Sequence, residues 1–125
     1  MALMSDLPDS SIQLEFTPLF KRRLKGLAKK YRQIQIDIQP VFDQLLLGEL
    51  VGDQISGTAY TVYKVRARNS DTQSGKSGGY RLIYQLKSST SIVLHLIYAK
   101  SEQANVNADE IQDMIKTYQQ EVEQT

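Results

Sequence analysis

Lys64, Arg66 and Arg68 stand two residues apart in the run Tyr63-Lys64-Val65-Arg66-Ala67-Arg68. Arg81 follows the glycine-rich string Gly75-Lys76-Ser77-Gly78-Gly79-Tyr80. Successive side chains of a β-strand alternate between faces, so this spacing predicts three cations on one sheet face, with Tyr63, Val65 and Ala67 on the other. Like charges at that spacing repel one another, and packing gives no reason to collect them; a bound anion does. The anion that such a row fits best is a nucleic-acid phosphate.

Other chemistries find little support. The chain has no cysteine and one histidine, so disulfides, thiol nucleophiles, zinc–thiolate sites and multi-histidine metal sites are excluded, and no metal or other cofactor is expected. Lys76 lies in a glycine loop that lacks the Walker spacing and a following helix, so its value rests on the residues after it. His95 sits between Val93 and Ile97 in the most apolar stretch and reads as a core histidine. The net charge of +1 hides segregation. Residues 17–36 carry Lys21, Arg22, Arg23, Lys25, Lys29, Lys30 and Arg32 with no acid, whereas Glu102, Asp109, Glu110, Asp113, Glu121 and Glu123 make the C-terminal part acidic.

The elements that must position these residues follow from pattern. The 125 residues, 41% hydrophobic and 23% charged, fit one folded domain over residues 12–125, after a loose arm over residues 1–11. No apolar run approaches the roughly 20 residues of a membrane-spanning helix and the start lacks a secretory pattern, so a cytoplasmic location is expected. A short strand is expected around Ile12–Phe16. Thr17-Pro18 then opens a helix with Phe20, Leu24, Leu27, Ala28 and Tyr31 on one face. Ile34, Ile38, Val41, Phe42, Leu45 and Leu46 mark a second helix, which Pro40 should bend unless it starts near Asp37. Gly48 to Tyr60 reads as loop with at most a short strand. Thr61–Arg68, Gly79–Leu86 and Ser91–Tyr98 read as three antiparallel strands, the last placing Ile92, Leu94, Leu96 and Tyr98 on one side. Asn107-Ala108-Asp109-Glu110 resembles a capping box and starts a C-terminal helix through Ile111, Met114, Ile115, Tyr118 and Val122. The expected fold is α+β: an N-terminal strand and helical hairpin packed on an antiparallel sheet, with a C-terminal helix and the helices on one sheet face.

This order of elements, the string Gly75-Lys76-Ser77-Gly78-Gly79-Tyr80-Arg81-Leu82-Ile83-Tyr84 and the later Ile97-Tyr98-Ala99-Lys100-Ser101-Glu102 resemble the RelE/ParE superfamily of type II toxins, most nearly its HigB-like branch. The resemblance spans about residues 12–120. It implies the toxin of a toxin–antitoxin module, with a cognate antitoxin as direct partner. In the RelE and HigB branches it implies a ribosome-dependent mRNA endoribonuclease (an mRNA interferase) that inhibits translation. The family's reaction is metal-independent: the RNA's own 2′-hydroxyl attacks the adjacent phosphorus and leaves a cyclic phosphate. That reaction needs a base for the hydroxyl, cations for the charge on the phosphoryl oxygens, and a proton for the leaving 5′-oxygen.

By position in the motif, the resemblance assigns the catalytic set to Lys64, Arg66, Arg68 and Arg81. Lys64 or Arg66 would steer the proton, and Arg68 and Arg81 would position the phosphate. RNA binding falls to Lys76, Tyr84, Tyr98 and Lys100. The sequence departs from the RelE pattern where that branch carries an arginine directly after the lysine and a base-stacking tyrosine a few residues later. Those places hold Ser101 and, approximately, Val106. Two alternatives therefore stay open: a ParE-type inhibitor of DNA gyrase, and a degenerate, noncatalytic module that binds RNA or antitoxin.

Overall fold

Thr17 ends the first strand and starts the first helix. Its Oγ1 accepts from the Phe20 amide at 3.1 Å, and Pro18 occupies the first turn, where a missing N–H costs nothing. The computed structural model describes residues 11–73, 75–103 and 105–124, so the expected N-terminal arm lies, apart from Ser11, outside the described residues. Along the chain come β1 (Gln13–Phe16), α1 (Pro18–Lys30), α2 (Ile34–Leu46), β2 (Asp53–Ile55) and β3 (Val62–Ala67). A 3-10 turn (Lys76–Gly78), β4 (Tyr80–Ser88), β5 (Ser91–Ala99) and α3 (Ala108–Glu123) complete the order.

Helix α2 starts at Ile34, not near Asp37, and runs through Pro40. Pro40 and Ile36 both lie on the exposed side, where water can take the carbonyl that proline leaves without its usual donor. At α3 the capping box forms: Asn107 Oδ1 accepts from the Glu110 amide at 2.8 Å, and Glu110 Oε1 accepts from the Asn107 amide at 3.2 Å.

The sheet has five strands in the order β1-β5-β4-β3-β2 and is mixed. β3, β4 and β5 form the expected antiparallel meander, while β1 pairs parallel with β5 from Gln13↔Ser91 to Phe16↔Leu94. The helices cover both faces, which corrects the one-faced arrangement. Phe20, Ile34, Ile38 and Phe42 of α1 and α2 pack with Val65, Leu82, Tyr84 and Leu94. Ile111 and Ile115 of α3 pack on the opposite face with Val62, Ile83, Leu96 and Tyr98. Alternation along β3 and β4 supplies both sets, so a strand apolar on both sides requires cover on both sides.

In β5 the alternation breaks. Ile83 pairs with Leu96 but Tyr84 pairs with Leu94, so His95 is the extra residue of a bulge. Leu94 and Ile97 consequently pack towards α1 and α2, and Leu96 and Tyr98 pack towards α3. The expected grouping of Leu94 with Leu96 is thereby corrected. His95 is fully buried, with Nε2 2.9 Å from Gln85 Oε1 and its ring edge-to-face on Tyr118 of α3. The Tyr118 hydroxyl donates to Glu15 of β1.

Burial lowers the His95 pKa to about 4, against a smaller opposing pull from Glu15. The unfolded chain therefore takes up a proton below about pH 6.5 that the native chain refuses until about pH 4, and stability falls with pH across that window. The loss due to this group is about 3 kcal/mol at the acid end. Urea unfolding at pH 7.5 and pH 4.5 should show it, and His95→Gln should flatten the difference.

Candidate functional site

The site strand is held between two glycine contacts. A Cβ on Gly52 would lie 2.4 Å from the Lys64 carbonyl oxygen and 2.9 Å from Val65 Cα, and Gly52 also has a φ of +95°, a region L side chains rarely adopt. A Cβ on Gly79 would lie 2.0 Å from the Ala67 carbonyl oxygen and 2.9 Å from Arg68 Cα. The backbone from Lys64 to Arg68 thus runs between two approaches that only glycine permits.

On that strand Lys64 and Arg66 share a face. Lys64 stands opposite Ile83 on β4 and opposite Asp53 on β2, and Arg66 stands opposite Arg81. β2 ends its pairing at Lys64, so the outer edge of β3 is open beyond it. There a cleft of about 300 Å³ is lined by Gln44, Gly52, Asp53, Lys64, Arg66 and Lys76, together with Val51 and Val65. Three of the predicted cations therefore converge on one concave surface. Lys64 is half-buried, while Arg66 and Lys76 are exposed, so their charges are available to a ligand in the cleft.

Arg81 lies beneath this surface and is only 3% exposed. Its Nη1 donates to the Lys76 carbonyl at 2.9 Å and to the Tyr80 carbonyl at 3.1 Å. Burial, and then the facing Arg66 guanidinium, lower its pKa, with Tyr98 acting in the opposite sense. Its geometry fixes the loop that carries Lys76, and its charge adds to the field at Arg66; the expectation that it contacts phosphate directly is corrected on burial.

Arg68 is also redirected. β3 ends at Ala67, one residue short of the expected boundary, so alternation no longer governs Arg68. Its Nε lies 3.4 Å from Oδ1 of Asp37 on α2, and it does not line the cleft. Asp37 is buried and has its other oxygen engaged by the Ser70 amide at 2.8 Å and the Ser70 hydroxyl at 2.9 Å. A buried carboxylate needs such donors, and the cation at the strand end completes its neutralisation.

The two predicted tyrosines do not reach the surface. Tyr84 faces α1 and α2, is fully buried, stacks on Tyr63 with centroids 5.3 Å apart, and donates its hydroxyl to the Val51 carbonyl. It therefore anchors a wall of the cleft instead of stacking a base. Tyr98 is 2% exposed and follows Arg66 and Arg81 in one row across the sheet. Its hydroxyl has no hydrogen-bond partner among the described residues; the Val106 amide approaches it without forming a bond. Burial raises its pKa, against smaller pulls from Arg81 and Val106. Lys100 is exposed just past β5, and its amide donates to the Gly79 carbonyl at 2.9 Å, tying the later motif to the glycine loop. Its side chain lies outside the cleft lining.

Sequence reading missed the cleft's far walls, Gln44 and Val51 to Asp53. Gly52 offered the only signal, as a glycine between two apolar stretches. Sequence reading singled out Glu102 in the later motif but not its partners: the carboxylate accepts from Lys30 Nζ at 2.8 Å and from the Tyr31 hydroxyl, both of which lower its pKa. Among the described residues no helix is long and apolar enough to cross a membrane. Compared with known proteins, the chain matches no protein-family model and no curated sequence.

Proposed function

We propose that the chain is a RelE/ParE-like, HigB-like toxin acting as a metal-independent endoribonuclease on mRNA, with the ribosome as its platform and an antitoxin as its controlling partner. The observation that carries this reading is the convergence of Lys64, Arg66 and Lys76 on one cleft at the open edge of β3. Fixed cations in a concave site stabilise the charge that grows on a phosphoryl group during 2′-hydroxyl attack, and they need no rearrangement to do so. Lys64, half-buried at the strand edge, is the group to take up and return the proton. Arg66 supplies a planar fork for two phosphate oxygens, and Lys76 a point charge from the glycine loop. Arg81 acts through these two by holding the Lys76 loop.

The basic outer surface of α1, with Lys21, Lys25 and Lys29 exposed, adds sequence-independent attraction to ribosomal RNA. The burial of Tyr84 and Tyr98 leaves base stacking without these two side chains, which favours the noncatalytic module as the second reading. Brief expression followed by mapping of transcript 5′ ends separates the readings. New ends within translated messages support the nuclease. Intact transcripts with blocked DNA supercoiling select gyrase inhibition, and intact transcripts with normal growth select the noncatalytic module.

A further inference from the structure

Gly26 stands in the middle of α1, where glycine is among the least favourable residues. Nothing in the fold requires it: a Cβ at that position meets no atom within 4 Å, and Gly26 is not among the positive-φ residues. Gly26 has Arg22, Arg23, Lys29 and Lys30 at three and four positions' distance, and Gly26, Arg22, Arg23 and Lys30 together make a face of three cations around a bare patch of backbone. All four line a groove of about 330 Å³ between α1 and the outer edge of β5.

That edge has no neighbouring strand, because β1 stops pairing at Phe16↔Leu94. The bond from the Lys100 amide to the Gly79 carbonyl sets the antiparallel phase, so Tyr98 bonds towards β4 and Ile97 and Ala99 turn their main chain towards the groove. The Ala99 carbonyl is already taken there by the Glu102 and Gln103 amides, which removes one acceptor that a peptide strand added along the edge would use. Glu102 holds Lys30, and Arg23 Nη1 donates to Gln103 Oε1 at 3.1 Å. Glu102 thus neutralises one of the three cations; Arg23 is in no ion pair among the described residues, nor is Arg22, which also lines a neighbouring groove that holds Glu110, Asp113 and Glu121.

We propose that this groove seats a phosphate of single-stranded RNA away from the scissile bond, with Gly26 leaving room for the sugar–phosphate chain and Arg22 and Arg23 gripping its oxygens. The assignment rests on the nuclease reading for its ligand but on different residues for its evidence. Two neighbouring planar forks suit a tetrahedral oxyanion, and the occupied Ala99 carbonyl disfavours an acidic peptide added as a strand.

The test is fluorescence anisotropy with a labelled 12-nucleotide single-stranded RNA and the full chain, at several salt concentrations. Gly26→Ala and Gly26→Gln should raise the melting temperature by a few degrees, because both favour helix over glycine. Gly26→Gln should nevertheless weaken RNA binding about tenfold by filling the groove, a loss that instability cannot explain. Arg22→Ala with Arg23→Ala should weaken binding similarly and make the salt dependence shallower by about 0.7 for each phosphate contact removed. Unchanged RNA affinity in either Gly26→Gln or the arginine variant overturns the proposal, as does tighter binding of a 12-residue polyglutamate in the same groove. If transcripts are cut but Gly26→Gln binds normally, the nuclease reading stands and this one falls. If Gly26→Gln binds weakly and the parent chain cuts nothing, the phosphate seat stands and the nuclease reading falls.

Discussion

On the proposed nuclease reading, combined Lys64→Ala and Arg66→Ala substitution is expected to abolish growth inhibition and to lower RNA cleavage by at least about a thousandfold. Loss of a proton-transferring group removes roughly two to four powers of ten, and loss of a charge-stabilising donor roughly two to three. The folded state should barely notice. Arg66 is exposed and stands opposite Arg81, and half-buried Lys64 stands opposite Ile83 and the exposed Asp53, so neither removal leaves a buried partner unpaired. Primer extension on a translated message measures the activity, and a thermal melt of the same variant excludes unfolding. Cleavage within tenfold of the parent would remove Lys64 and Arg66 from the chemistry. Lys64→Arg keeps the charge but substitutes a guanidinium, which does not give up its proton in proteins, so it should retain RNA binding while losing turnover.

The second large effect is structural. Gly79→Ala places a methyl group 2.0 Å from the Ala67 carbonyl oxygen, which is main chain and cannot rotate away. Either β3 separates from β4 at its end or the glycine loop shifts outward. An overpacked contact of this kind costs about 3 kcal/mol, and the melting temperature should drop by roughly 10 °C. Because Gly79 also accepts the Lys100 amide and precedes the pair Ala67↔Tyr80, the displacement reaches the Lys76 loop. Activity measured well below the melting transition should therefore fall too. Gly75→Ala is the control: nothing lies within 4 Å of a Cβ there, so it should be nearly silent.

These contrasts show which parts of the molecule sequence reasoning reaches. Thr17 with Pro18, and Asn107 with Glu110, announced their helices because a cap is a local arrangement of neighbours three residues apart. Lys64 and Arg66 were placed on one face because alternation is a property of the strand alone. Arg68 was misplaced because its conformation depends on where β3 stops and on Asp37, a residue far back on α2. The Leu94 and Leu96 grouping failed for a related reason: the bulge at His95 is created by register with β4, which periodicity within β5 cannot register. Arg81 was legible as a cation but not as a buried one, since burial came from the Lys76 loop folding over it. The cleft itself needed Gln44, Gly52 and Lys76 brought together from three separate stretches.

The parallel pairing of Gln13 with Ser91 has a consequence for when the sheet completes during synthesis. β1 has its partner roughly eighty residues downstream, so the sheet cannot close until Ser91 to Leu94 have left the ribosome. At about 5–20 residues per second that interval lasts roughly four seconds or more. Until then β1 has no strand to pair with, and its edge stays open to a competing strand.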